Sequence, residues 1–274
     1  MTKEKITFSF GENWKNYLDG YFNERRLQMA KNSIKEFLNF DLKGKIFMDI
    51  GCGSGLFSLC AYEMGAGRVI SFDADPLSVE CCSYLRKKKS SPKNWAVLHG
   101  SVLDENFLKK LPQADIAYSL GVLHHTGQMW DAIKNASSKV RKGGYLYISI
   151  YNKKPGIRGS KNQLKLKKLY NLSPRTLKKL FEYGIISQFF LKNILFLKNP
   201  YKLIKEKEKN IFNRGMSFKI DVIDWLGGLP YEFATPQEIF DFCSKKLGLQ
   251  LVNVYMVDER NSLGNNHYLF KKPE

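Results

Sequence analysis

The chain has 274 residues, 43% hydrophobic and 14% aromatic, with 44 lysines and arginines against 26 acids and a formal net charge of +18. Against a prior of roughly 100–200 residues per domain, that is one decorated domain with a sizeable core, not a disordered or low-complexity chain. Lysines break the apolar runs before the ~18 residues of a membrane span, and five cysteines (Cys52, Cys60, Cys81, Cys82, Cys243) without ligand spacing exclude a disulfide scaffold or a zinc ribbon.

The start lacks the charged, apolar and small-residue regions of a signal peptide, so a cytoplasmic protein with reduced thiols is expected. Phe8-x-Phe10-Gly11-x-Asn13-Trp14 precedes a helical period over 24–39. A strand over 45–50 runs into Asp49-x-Gly51-x-Gly53-x-Gly55, and a helix fits 55–64. Strand, glycine turn and helix make a nucleotide-binding βα unit, because a Cβ at the turn blocks close approach of the backbone to a ligand. Position 56 is leucine, so this is not the dinucleotide spacing. A second strand, 68–73, ends in Asp73, placed to accept hydrogen bonds from ribose hydroxyls.

Helix 76–88, strand 95–100, strand 114–120, helix 128–140 and strand 145–151 follow, the last entered through Gly143-Gly144. Alternating strands and helices imply an α/β, doubly wound, mostly parallel sheet. Residues 152–230 leave that alternation. Thr235-Pro236-Gln237-Glu238 then starts a helix to about Leu247, and strands fit 249–257 and 267–271.

The glycine motif resembles the first motif of class I S-adenosylmethionine (SAM)-dependent methyltransferases. Four further segments match in order: the strand ending at Asp73, Val97 to Ser101, Ala114 to His125, and Lys142 to Ile150. The stretch through Leu120-Gly121-Val122-Leu123-His124-His125 is similar to small-molecule enzymes of the ubiquinone-biosynthesis type. The resemblance implies a seven-stranded Rossmann-like sheet with a final antiparallel strand, SAM as cofactor and S-adenosylhomocysteine as product. It implies four parts: an N-terminal helical lid segment at 1–40, a SAM-binding core at 41–151, a basic, mostly helical cap at 152–230, and a helix with a strand pair at 231–274 completing the core.

For the cofactor it points to Asp49, Gly51, Cys52, Gly53 and Gly55 at the turn, Asp73 and Ala74 at the ribose, Ser101 and Val102 beside adenine, and Leu120 and Gly121 at the methionine ammonium. Trp14 is placed to cover the methionine end. No metal-ligand set is found. His124 and His125 follow the fourth strand, where α/β sheets place their ligands, and are the candidate general bases, with His125 favoured. Arg214, Asp224, Trp225, Tyr231 and His267 are the acceptor-contact candidates.

Residues 151–210 hold 14 lysines and 2 arginines against 3 glutamates, so +13 of the net charge of +18 lies there. Such a field attracts anions. O-methylation of a small or glycan-linked, anionic acceptor is the first expectation, such as a phosphorylated or nucleotide-linked sugar. An RNA-modifying enzyme, with the insertion tracking phosphates, is the second; the loop at Gly121 to His125 is similar to tRNA wobble-uridine modifying enzymes. A SAM-binding protein without turnover is the third. An anionic membrane surface is a further candidate partner through Phe181 to Ile204, and nothing in the sequence sets an oligomeric state.

Overall fold

The computed structural model describes residues 8–157, 159–209, 217–257 and 264–274. Seven strands form one sheet: β1 (Ile46–Ile50), β2 (Arg68–Asp73), β3 (Trp95–His99), β4 (Ala114–Leu120), β5 (Val140–Tyr151), β6 (Gln250–Tyr255) and β7 (Asn265–Lys271). Their order is β3-β2-β1-β4-β5-β7-β6, with β1 to β5 parallel and β7 antiparallel to both neighbours. Central strands are buried on both faces, which is why β1 and β2 read as near-continuous apolar runs.

Before β1 come α1 (Phe10–Gly20) and α2 (Glu24–Leu38); between strands come α3 (Leu56–Glu63), α4 (Pro76–Lys88), α5 (Glu105–Lys109) and α6 (Met129–Ser138). On one face of the sheet, Leu27, Ile34 and Phe37 of α2 pack with α3 and α4; on the other, Ile133 of α6 and Ile239 pack under Met48 and Ile70. Of the expected lid segment 1–40, then, only the α1 end reaches the ligand cleft among the described residues. α2 belongs to the core, because its apolar stripe at 27, 30, 34, 37 and 38 is buried at helical spacing.

β5 begins five residues before the expected strand. Ala114 pairs with Val140 but Ile116 pairs with Tyr145, so a bulge absorbs the segment holding Gly143-Gly144. Thr235 and Glu238 form a reciprocal capping box at the start of α11 (Pro236–Phe240), which continues as a π-helical turn over Asp241–Lys246.

Between β5 and α11 the chain leaves the sheet as α7 (Ser160–Leu172), α8 (Arg175–Leu195), α9 (Pro200–Lys209) and α10 (Phe218–Gly227). A small core of Tyr170, Val222 and Leu226, with Phe181, Ile185 and Ile186 against it, holds this unit together. An Asn152–Ala234 bridge closes its base beside the end of β5.

Candidate active site

The carboxyl ends of β1, β2 and β4 open onto one cavity of about 1160 Å³ that runs from the glycine turn into the space under the cap. Gly51, Gly53 and Gly55 all have positive φ. A Cβ on Gly53 would lie 2.7 Å from Trp14 Nε1, so the indole of α1 sits directly on the turn. Asp73 steadies the turn from below: its carboxylate accepts from Gly53 N–H and from Asp75 N–H, each at 2.9 Å. Burial raises Asp73 to about 6 despite those hydrogen bonds.

Asp49 lies at the end of a buried polar chain. Trp95 Nε1 donates to Ser71 Oγ (2.9 Å), Ser71 donates to Ser58 (2.7 Å), and Ser58 donates to Asp49 Oδ2 (2.5 Å). Burial raises this carboxyl to about 7, only partly offset by Ser58, with the Asp73 charge adding to the rise. Hydrogen bonding with Cys82 and burial push the Cys52 thiol well up, so it lines the turn as an unreactive group.

The residues fit SAM. The turn residues Gly51, Cys52 and Gly53 line the cleft, Asp73 stands at the tip of β2, and Ala74, Ser101, Val102, Leu120 and Gly121 line the same cleft. SAM carries a sulfonium and an ammonium, and the cavity carries the carboxyl groups of Asp49, Asp73, Asp221 and Asp224. Burying a cation beside carboxylates offsets the desolvation that both would otherwise suffer.

Under the cap the cavity becomes aromatic. Phe10, His124, His125 and Tyr151 form one cluster, with ring centroids 4.9 Å apart for Phe10–His125 and 4.3 Å for His124–Tyr151. Trp225, Phe218, Phe189 and Ile185 of the cap complete the walls, and His267 lines the far side, 2.6 Å from the Tyr147 hydroxyl. His125 Nδ1 donates to the Pro230 carbonyl at 2.6 Å, which fixes the tautomer and leaves Nε2 as the acceptor nitrogen. Burial, and then the Lys167 charge, hold this imidazole down at about 3. Gly228 is required beside it, since a Cβ there would fall 2.7 Å from the ring.

Lys167 is the functional-site residue that the sequence reading missed. It is fully buried on α7, donates to the Trp225 carbonyl, and lies over the Tyr151, Trp225 and Tyr231 rings at 5.5, 5.2 and 4.7 Å. Burial lowers it to about 7, against the pull of Asp224. It stands behind the chamber wall and fixes Trp225 from outside.

Both histidines therefore face the chamber, where one alone was expected to. Burial leaves His125 too weakly basic to titrate near neutrality, which bears on its expected role as a general base. Asp224, Trp225 and His267 line the cavity as expected. Tyr231 does not: it stacks behind Tyr151, and its hydroxyl donates to Gln163 at 2.8 Å. Arg214 lies outside the described residues.

Among the described residues no lysine or arginine lines the cavity, and the insertion's lysines at 161, 165, 168, 179, 192, 198 and 202 face outward. Helix α1 closes the remaining side. Gly11 N–H donates to Asp75, the N-cap of α4 (2.8 Å), Asn13 donates to Asp224 of the cap (3.4 Å), and Phe8 N–H donates to the Leu229 carbonyl (3.3 Å).

A family model described as a methyltransferase domain matches residues 21–189. A tRNA U34 carboxymethyltransferase of Ectopseudomonas mendocina is 32% identical over 110 residues, 40% of this chain and 33% of that protein. A ubiquinone biosynthesis O-methyltransferase of Pelagibacter ubique is 29% identical over 137 residues, 48% of this chain and 55% of that one. The chain thus spans about a third to about half of the length of these curated relatives. Among solved structures, the magnesium protoporphyrin IX methyltransferase of Synechocystis PCC 6803 with bound S-adenosylhomocysteine superposes with a TM-score of 0.56 at 15% identity, covering 95% of this chain and 93% of that one. That likeness is one of fold.

Proposed function

The chain belongs to the methyltransferase domain family, of the class I SAM-dependent kind, and from that premise we propose that it methylates a hydroxyl of a small, uncharged, ring-bearing acceptor held under the cap. The observation that carries this reading is the continuity of the cofactor cleft with an aromatic chamber that has carboxylates but no described cation in its walls. A flat apolar ring gains from burial against Phe10, Tyr151 and Trp225, whereas a phosphate would meet Asp221 and Asp224 without a counter-charge. The partial match to an O-methyltransferase of ubiquinone biosynthesis supports the same acceptor class.

SAM supplies an electrophilic methyl group. The protein's part is to hold the acceptor oxygen in line with it at about 3–3.5 Å and to exclude water. His125, neutral and fixed by Pro230, accepts the acceptor's hydroxyl hydrogen through Nε2 and orients an oxygen lone pair toward the methyl carbon. Bound SAM would give up that methyl group and leave as S-adenosylhomocysteine, and the hydroxyl proton would be taken by a lining carboxylate, Asp221 or Asp224.

An RNA acceptor is the second reading, supported by the outward lysines of the cap and by the partial match to a tRNA carboxymethyltransferase. The acidic chamber weighs against it. The test is transfer from methyl-labelled SAM to cell extract split into solvent-extractable, sugar-nucleotide and RNA fractions. Label in a solvent-extractable phenolic or quinol-like product supports the first reading, and label confined to RNA or sugar nucleotides refutes it.

A further inference from the structure

Helix α8 carries two apolar faces, and among the described residues only one of them is covered. Phe181, Ile185, Ile186 and Phe189 point inward, to the cap core and the chamber. On the opposite side Leu180, Leu191, Ile194 and Leu195 fall within about 100° of arc at 3.6 residues per turn. They are 65%, 62%, 56% and 80% exposed, and no residue of this 21-residue helix is fully buried. The chain then bends by 112° into α9, and the apex of the bend is Ile194-Leu195-Phe196-Leu197, with Leu197 98% exposed. Lys192 and Lys198 bracket that apex, with Lys179 and Lys202 exposed further along the two helices.

We propose that this bent pair, α8 and α9, docks the protein on an anionic lipid bilayer, with the Ile194 to Leu197 apex entering the headgroup–acyl boundary and the flanking lysines on acidic headgroups. Leucines at an apex between lysines are the layout of an interfacial anchor: apolar area gives depth, and cationic side chains give attraction to anionic lipid. No single described helix is long and apolar enough to cross a bilayer, so the contact is shallow. A second copy of this chain fits the patch poorly, because pairing would bring together two segments each carrying +13. RNA would use the lysines but leave the exposed leucines unexplained. The opposite face of the same helix lines the chamber through Ile185, Gln188 and Phe189, so the docked surface and the acceptor chamber share one wall. The proposal stands whichever acceptor the enzyme uses.

The experiment is co-sedimentation of the full chain with vesicles of neutral phosphatidylcholine, and with vesicles containing about a third phosphatidylglycerol, a composition rich in anionic lipid. Two double variants separate the contributions: Leu195→Ser with Leu197→Ser, and Lys192→Glu with Lys198→Glu. All four positions are exposed, and unchanged thermal unfolding and S-adenosylhomocysteine binding establish that each variant is folded. The wild type is expected to bind the anionic vesicles, the serine variant at least about tenfold more weakly, and the glutamate variant without preference between the two lipids. Absence of vesicle binding by the wild type overturns the proposal. So does serine-variant binding equal to wild type, or self-association abolished by the serine pair without any vesicle binding. RNA binding that the serine pair leaves intact, with no lipid binding, overturns it in favour of a polynucleotide surface.

Discussion

Replacing Asp49 with asparagine tests the electrostatic design of the cofactor cleft. The folded protein holds this carboxyl at about 7, against an ordinary value of 3.8, because burial outweighs the hydrogen bond from Ser58. Between those two values the unfolded chain has lost its proton while the folded chain keeps it. Stability therefore falls as pH rises from about 4 to about 7 and is flat above, the sign for an acid whose folded pKa is raised. About three pH units at ~1.4 kcal/mol each make ~4 kcal/mol a ceiling for the penalty above neutrality, since Asp73 shares part of it.

The side-chain amide introduced by Asp49→Asn still offers Ser58 an oxygen but never ionises. The ligand-free variant is expected to match wild type near pH 4 and to be the more stable protein near pH 8 by up to that amount, a rise of several degrees in Tm. The same substitution removes a negative charge from beside the SAM cation, so S-adenosylmethionine should stabilise the variant less than wild type. Thermal unfolding at a series of pH values, with and without ligand, reads both effects. A variant destabilised equally at every pH would refute the reasoning, because it would make Asp49 a packing residue and not a charge held for a cation.

Three further outcomes are expected. Asp73→Ala should weaken SAM and S-adenosylhomocysteine binding at least about tenfold in a folded protein, the loss of a charge-assisted hydrogen bond of ~1.5–3 kcal/mol, as read by calorimetry; unchanged affinity would remove Asp73 from the site. Because His125 is held at about 3, it is neutral throughout the working range, so the rate profile from about pH 6 to about pH 9 should show no limb that His125→Gln abolishes; a limb near the ordinary histidine value of about 6.5, lost in that variant, would restore it as a conventional base. Lys167→Met should raise the acceptor KM while sparing S-adenosylhomocysteine affinity, since Lys167 fixes the Trp225 wall and lies away from the cofactor turn; a variant that loses cofactor binding alone would contradict that placement.

Most of the sheet was legible in the sequence because its central strands are short apolar runs ending in glycines or acids that the ligand cleft needs. Other features were hidden for physical reasons. The early start of β5 was masked by Gly143-Gly144, which reads as a turn but is absorbed by a bulge. Helix α1 falls within the helical segment expected over 1–40, but its start at Phe10 was not read from the spacing of Phe8, Phe10 and Trp14. Lys167 lies among Lys161, Lys165 and Lys168, which are solvated, and nothing in its own chemistry sets it apart. Its neighbours at helical spacing do: Gln163, Lys167 and Tyr170 are buried on one face of α7, a polar stripe turned inward. The direction of the insertion's charge was hidden for a related reason, since a count of lysines carries no direction, and its exposed lysines point away from the chamber.

Helix α1 holds two compartments with one fastening. Phe8 and Asn13 tie it to the cap, Gly11 ties it to the start of α4, and Trp14 covers the turn between them. A displacement of α1 large enough to uncover the turn would also break its contacts with the cap, so the two compartments would open together. Fastening and lining thus fall to different groups: the carboxylates and His125 line the cavity, while the Phe8 and Gly11 peptide N–H groups and the Asn13 amide hold α1 in place.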